Sequence, residues 1–341
     1  MTDTLAPPSR NQSATLPAWV APLFESELSL LSQSRGSEPV WRIAEDDSTA
    51  TISEQFTEHA SDYDGRYASS GHFESLFNQS IETLNLIFPD SPYVLDLGSG
   101  SGANSVVPFS RISSAARFVA TDLSSELLTI LASNLRKLNL HHNVICVVMD
   151  SMSSHIAEEK FDVVTGSAIL HHLTNPNLGI RAAARALKPG GVAMFFEPFD
   201  GYSLMSLAYK TILSRVGRFN NRLDSRVEAA MRGMITDITA RTNPDVDSPH
   251  FECLDDKWLF SQEKIEKVAL ESGFSRVSFV THNYHKTLFR DVAQIQMRLA
   301  TGLNGIQIPE WALRVLDMFD ESLPPEIKQR AIFEGTIILS K

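Results

Sequence analysis

Glycines 98, 100 and 102 lie in the run Val94-Leu95-Asp96-Leu97-Gly98-Ser99-Gly100-Ser101-Gly102, directly after apolar residues that read as a strand. Glycine at such a place lets the chain turn tightly and lets a ligand approach bare backbone. A helix starting at about Ala103 would add free N–H groups facing an anionic group. The spacing is G-x-G-x-G, whereas a pyrophosphate-binding turn has G-x-G-x-x-G. Asp96 precedes the first glycine by two residues and is expected on the ligand side of the strand end. A carboxylate there repels a pyrophosphate and suits an ammonium or sulfonium cation. Asp122 closes the next apolar run, Val119-Ala120-Thr121-Asp122, 20 residues past Gly102. Its two oxygens can accept from both hydroxyls of a ribose diol; the plainer alternative is an aspartate capping the following helix.

These segments resemble the first motifs of the class I S-adenosylmethionine-dependent methyltransferases. Phe161–Leu173 resembles the fourth-strand segment of the family's small-molecule members, and Leu187-Lys188-Pro189-Gly190-Gly191 its turn into strand five. The resemblance implies an α/β fold with a doubly wound, seven-stranded Rossmann-like core, and S-adenosyl-L-methionine as cofactor. It implies that Gly98, Ser99, Gly100 and Gly102 pack beside the methionine moiety, with Asp96 helping to hold it. It places Asp122 and Leu123 at the ribose and assigns Ser167 to the same site. Asp150 and Ser151 fall where the family contacts the adenine amino group, although an Asp-Ser pair is also a common helix cap. Asp62-Tyr63-Asp64-x-Arg66-Tyr67 resembles the segment that folds over the cofactor, which makes Tyr63 a further candidate. Phe56, Arg66, Tyr67 and His72 are the other aromatic and polar residues ahead of the core.

Methyl transfer is an in-line displacement, so alignment is its main need and a base the second. His171 and His172 follow strand four and are expected near the methyl group. Imidazole titrates near neutrality, so either can take a proton from the acceptor; a pocket wall is their other reading. Glu197, at the end of strand five, is a second candidate base or a partner for polar groups of the substrate. No metal is expected, since no ligand cluster stands out.

Enzymes acting on adenine or glutamine amino groups carry an Asn/Asp-Pro-Pro-aromatic segment after strand four. This chain has Gly166-Ser167-Ala168-Ile169 there. A net charge of −11 repels phosphate backbones. The expected partner is therefore a small-molecule methyl acceptor, methylated on O, N or C, with no nucleic acid and no membrane; a homodimer is left open. A non-catalytic S-adenosylmethionine-binding protein and a dinucleotide-dependent oxidoreductase are the alternatives. Lys210, Arg215, Arg218, Arg222 and Arg226 recur at nearly helical spacing, read as one solvated face, with a clamp for an anionic or diphosphate substrate as the minority view. Cys146 lies in an apolar run and reads as structural; two unmatched thiols, no signal peptide and no long apolar run make a cytoplasmic location the expectation.

The elements that must position these residues are legible as strands and helices in alternation from residue 93, which indicates a parallel sheet covered on both faces. Residues 1–60 read as an N-terminal extension, flexible over its first 20 residues and then helical at Pro22–Gln33. Residues 61–341 read as the methyltransferase domain, interrupted by helical lid insertions at about 199–257 and 285–331.

Overall fold

Short apolar strands alternating with half-apolar helices can bury both sheet faces only if the helices cover the sheet from both sides. The computed structural model describes residues 14–44, 54–67, 71–153, 155–218, 220–282, 287–301 and 307–341. The arm expected over the first 20 residues lies, for 1–13, outside the described residues. In chain order the elements are β1 (Leu28–Ser32), β2 (Val40–Ile43), α1 (Ala60–Tyr67), α2 (His72–Leu84), β3 (Tyr93–Leu97), α3 (Val106–Ile112), β4 (Arg117–Asp122), α4 (Ser125–Asn134) and β5 (Val144–Val148). They continue with β6 (Phe161–Ser167), α5 (Pro176–Ala186), β7 (Leu187–Pro198), α6 (Tyr202–Leu213), α7 (Ser225–Thr242), α8 (Gln262–Glu271), β8 (Arg276–Thr281), α9 (Leu288–Thr301), α10 (Glu310–Ser322), α11 (Pro325–Arg330) and β9 (Glu334–Ser340).

The strands form one sheet in the order β1-β2-β5-β4-β3-β6-β7-β9-β8. From β5 to β8 this is the expected seven-stranded core, parallel except for β9, which runs antiparallel between β7 and β8. The order reverses between β3 and β6, so the loops after them diverge and leave a crevice at their carboxyl ends. Alternation along each strand sorts its side chains: Leu95 and Leu97 enter the core on one face, Val94 the core on the other.

Two strands lie outside the expected core. β2 adds to β5 in parallel, pairing Val40 with Cys146, and β1 pairs antiparallel with β2. The helix expected at Pro22–Gln33 is instead a single 3₁₀ turn, Ala21–Leu23, followed by β1. Leu31, counted into its apolar face, is exposed, whereas β2 buries Val40, Trp41 and Ile43 and offers β1 a free ladder. Hydrogen bonding to an open sheet edge thus prevailed over a weak amphipathic pattern.

The two insertions do not stand apart. Met205 and Tyr209 of α6, Val227 and Met231 of α7, Phe289 and Met297 of α9, and Val315 of α10 are buried in a third core with Phe333, just before β9. The basic stretch is not one face: α6 ends at Leu213 and α7 starts at Ser225, while Arg226 pairs with Asp224 beside it.

Candidate functional site

Two cavities open at the carboxyl end of the sheet. The larger, of about 760 Å³, lies over the glycine loop. Gly98 has φ +65° and Gly102 φ +79°, a region that glycine alone enters freely. A Cβ at Gly98 would overlap the Ile169 side chain, and one at Gly102 would come within 2.6 Å of Leu131 Cδ1. The turn is closed by the Ser99 amide donating to the Thr121 carbonyl at 2.7 Å and the Gly102 amide to that of Ser99 at 2.8 Å. α3 begins at Val106, later than the expected Ala103, so Ala103 and Asn104 line the cavity as loop residues.

Asp122 faces this cavity. Its Oδ2 accepts the Gly100 amide at 2.8 Å and its Oδ1 the Ser124 amide at 2.8 Å. Each oxygen keeps one lone-pair direction for a ligand. Burial raises the Asp122 pKa, against the opposing effect of these amides. Ser99, Gly98, Gly100, Leu123, Ser151 and Ser167 line the same space, as do Phe56, Leu127, Cys253 and Lys257. Ser124 Oγ donates to the Phe56 carbonyl and so ties the segment before α1 across the opening. The Asp150 carboxylate instead closes its own turn, accepting the Met152 amide at 2.8 Å, while its neighbour Ser151 reaches the cavity. Tyr63 lies on α1, and its side chain, with those of Arg66 and Tyr67, is outside the described residues.

Asp96 corrects an expectation. It shares a strand face with Val94, is 0% exposed, and does not reach the cavity. Its Oδ1 accepts Thr165 Oγ1 at 2.7 Å and its Oδ2 accepts Ser105 Oγ, while its carbonyl takes the Thr121 and Ser99 hydroxyls. Asp96 pins the loop from beneath. Burial pushes its pKa up to about 6, although the Ser105, Ser99 and Thr165 hydroxyls pull the other way. A folded pKa above the unfolded value means a contribution to stability that is full below about 4 and lost as pH rises through about 6. Asp96→Asn removes this titration, so urea unfolding of ligand-free protein should show the variant gaining on wild type by about 2 kcal/mol between pH 4 and pH 7. A wild-type-to-variant difference that stays constant over that range would contradict the buried charge.

The second cavity, of about 340 Å³, lies beneath the helical insertions. Phe73, Phe196, Tyr202 and Phe333 supply apolar wall; His171, Arg241, Asp256, His282, Gln296 and Glu334 supply polar groups. Tyr202 donates its hydroxyl to Glu334 Oε1 at 2.6 Å. His282 stacks on Phe196, bonds Thr336 Oγ1 at 2.9 Å, and is held neutral by burial, its pKa pushed down to about 3. His72, singled out ahead of the core, lines this cavity too.

The turn after β6 separates the two spaces: Ala168 borders both, His171 the inner and His172 the outer. Glu197, at the end of β7, holds that turn. It accepts the Ile169 amide at 3.1 Å, the Leu170 amide at 2.8 Å, the His171 amide at 3.3 Å and His171 Nδ1 at 2.6 Å. A carboxylate has four lone-pair sites, so Glu197, 1% exposed, has none left for a substrate. That replaces its reading as a base: Glu197 positions His171. Burial alone would lower the His171 pKa, but Glu197 and Asp256 prevail and push it up to about 9. His172 moves the other way, to about 4, through burial and the charge of His171. Its Nδ1 donates to the Asp255 carbonyl at 2.7 Å, and its ring meets Phe56 edge-on at 5.5 Å.

Sequence reasoning missed Tyr202, Arg241, Asp256 and Glu334. Arg241 and Asp256 lie in an insertion with no motif. Glu334 had a positional signal, because an antiparallel last strand beside β7 sets its first residue opposite Pro198.

A family profile described as a methyltransferase domain matches residues 94–191. The chain is 27% identical over 155 residues to a ubiquinone/menaquinone biosynthesis C-methyltransferase of Cellvibrio japonicus (strain Ueda107), across 45% of this chain and 61% of that protein. It is 28% identical over 141 residues to a ubiquinone biosynthesis O-methyltransferase of Hydrogenovibrio crunogenus, across 40% of this chain and 56% of that one. The chain thus spans between half and two thirds of these relatives' length. Among solved structures, the phosphoethanolamine N-methyltransferase 2 of Haemonchus contortus, in complex with phosphomonomethylethanolamine and S-adenosylhomocysteine, aligns with a TM-score of 0.44 at 13% identity, over 80% of this chain and 53% of that one. Residues 94–191 match a methyltransferase domain, and the strand order and glycine loop agree with the resemblance to class I S-adenosylmethionine-dependent methyltransferases.

Proposed function

We propose that this protein transfers a methyl group from S-adenosylmethionine, held over the glycine loop, to oxygen or carbon of a small ring-bearing molecule held in the inner cavity. The observation that carries the reading is the pair of cavities meeting at Ala168, one over the glycine loop and Asp122, the other closed by His171.

The residues present fit this donor. Asp122 offers two free lone-pair directions to a ribose diol, and a Cβ at Gly100 would meet nothing closer than Leu127 Cδ1 at 3.9 Å, so the backbone there is bare. Leu123, Leu127 and Phe56 give a flat base an apolar wall. When bound, the donor supplies an electrophilic methyl carbon on a positively charged sulfur. Everything else falls to the chain: Glu54 and Phe56 border the outer cavity, and the insertions wall the inner one and help align what it holds. His171, fixed by Glu197, faces the acceptor, where its positive charge favours a ring oxygen that is losing its proton. The aromatic walls of the inner cavity suit a planar ring, and the C- and O-methyltransferase names of the two relatives support carbon or oxygen as the receiving atom. The family assignment does not favour the dinucleotide-dependent or non-catalytic alternatives.

Among the described residues no helix is long and apolar enough to cross a membrane. The two free thiols, Cys146 and Cys253, support work in a reducing, cytoplasmic setting.

Calorimetry with S-adenosylhomocysteine should give one binding event per chain. Incubation with methyl-labelled S-adenosylmethionine and a panel of phenols and reduced quinones should then place label on at least one ring. No heat with S-adenosylhomocysteine would end the proposal; binding with label passing only to amines would end the assignment of oxygen or carbon.

A further inference from the structure

His171 and Asp256 line the inner cavity and His172 the outer one, and each offers a ligand atom, these atoms all lying within 4.8 Å of one another. We propose that they form a site for a divalent transition-metal ion of the zinc class, open to the inner cavity, where the ion would hold an oxygen of the acceptor. Only the acceptor's part in this rests on the methyl-transfer reading.

The spacing is the first argument. Asp256 Oδ1 lies 3.4 Å from His171 Nε2 and 3.5 Å from His172 Nδ1. Both distances exceed a good N–H···O hydrogen bond. They match the separation of about 3.3 Å between donors that share one ion tetrahedrally at bonds of about 2.0–2.1 Å. The second argument is support. Metal-binding histidines characteristically donate their other ring nitrogen to a carboxylate, and His171 Nδ1 stands 2.6 Å from Glu197 Oε2. Asp256 is held likewise, its Oδ2 lying 3.3 Å from Arg241 Nη1, which leaves Oδ1 for an ion. Third, Asp256 is 45% exposed toward the cavity, so a position stays open beside three protein ligands, as at catalytic zinc sites.

The donor set selects the ion. Two imidazoles and one carboxylate suit zinc and its transition-metal neighbours, whereas magnesium and calcium prefer oxygen throughout. Binding would release the proton on His171 Nε2 to solvent, so that in the loaded protein the ion takes over from the imidazolium as the positive charge facing the acceptor, and it would move the His172 Nδ1 proton to Nε2, away from the Asp255 carbonyl. An acceptor hydroxyl on such an ion loses its proton near neutral pH, as zinc-bound water does. With that proton released to solvent, the oxygen or conjugated ring carbon would form its bond to the methyl carbon as the methyl–sulfur bond breaks, and the sulfur would keep that electron pair in S-adenosylhomocysteine.

The test is titration of full-length, chelator-dialysed protein with Zn²⁺ alone and Mg²⁺ alone, followed by calorimetry and metal analysis. One equivalent of Zn²⁺ per chain is expected, with much weaker Mg²⁺ binding. His172→Ala and Asp256→Asn should each weaken Zn²⁺ by about a hundredfold, while the surface variant His250→Ala binds as wild type does. Circular dichroism checks that each variant is folded. Absence of Zn²⁺ binding, or unchanged affinity in both folded variants, overturns the site. A separate S-adenosylhomocysteine titration reads the donor claim, so donor binding without zinc binding removes the metal site alone.

Discussion

Asp122→Ala should weaken S-adenosylhomocysteine binding by about two orders of magnitude in calorimetry. Each Asp122 oxygen already accepts one loop amide and keeps one direction for a sugar hydroxyl. Hydrogen bonds to a charged group contribute about 1.5–3 kcal/mol each. Losing two, while the Gly100 and Ser124 amides lose their acceptor, corresponds to about 3 kcal/mol net, or about a hundredfold. Asp122→Asn should fall between the two, because its amide nitrogen can accept from neither loop amide nor hydroxyl. A loss below about threefold for the alanine variant would mean that the carboxylate merely caps α4.

His171→Ala should lower kcat by about a hundredfold or more, the range for removing a placed acid–base or charge-stabilising group. The donor's affinity should hardly change, since His171 borders the inner cavity and Asp122 the outer one. Steady-state kinetics with the acceptor found in the labelling experiment separates the two effects. A variant that keeps wild-type kcat, or loses donor affinity in step with kcat, would place the chemistry elsewhere.

How far the sequence reached follows from how locally each feature is encoded. Strand and helix alternation, the glycine turn and Asp122 are set by neighbours within a few residues, and they stand where pattern reasoning put them. Asp96 was located but turned the wrong way, because its face depends on where Ser105 and Thr165 arrive from other elements. Glu197 was found for the same positional reason and given the wrong task; only the folded 168–172 turn shows that its lone pairs are spent on backbone amides. Asp256 and Arg241 had no local signature at all. Their meeting with His171 comes from tertiary packing of an insertion against the sheet end.

The third core has a consequence for how this molecule can change. Its roof over the inner cavity is stitched from two stretches that are remote along the chain yet share one set of buried side chains. Neither half can be trimmed or transplanted alone without laying bare the other's greasy underside. Retargeting the protein to a bulkier acceptor therefore calls for exchanging both stretches together, and the sheet with its glycine turn can stay as it is.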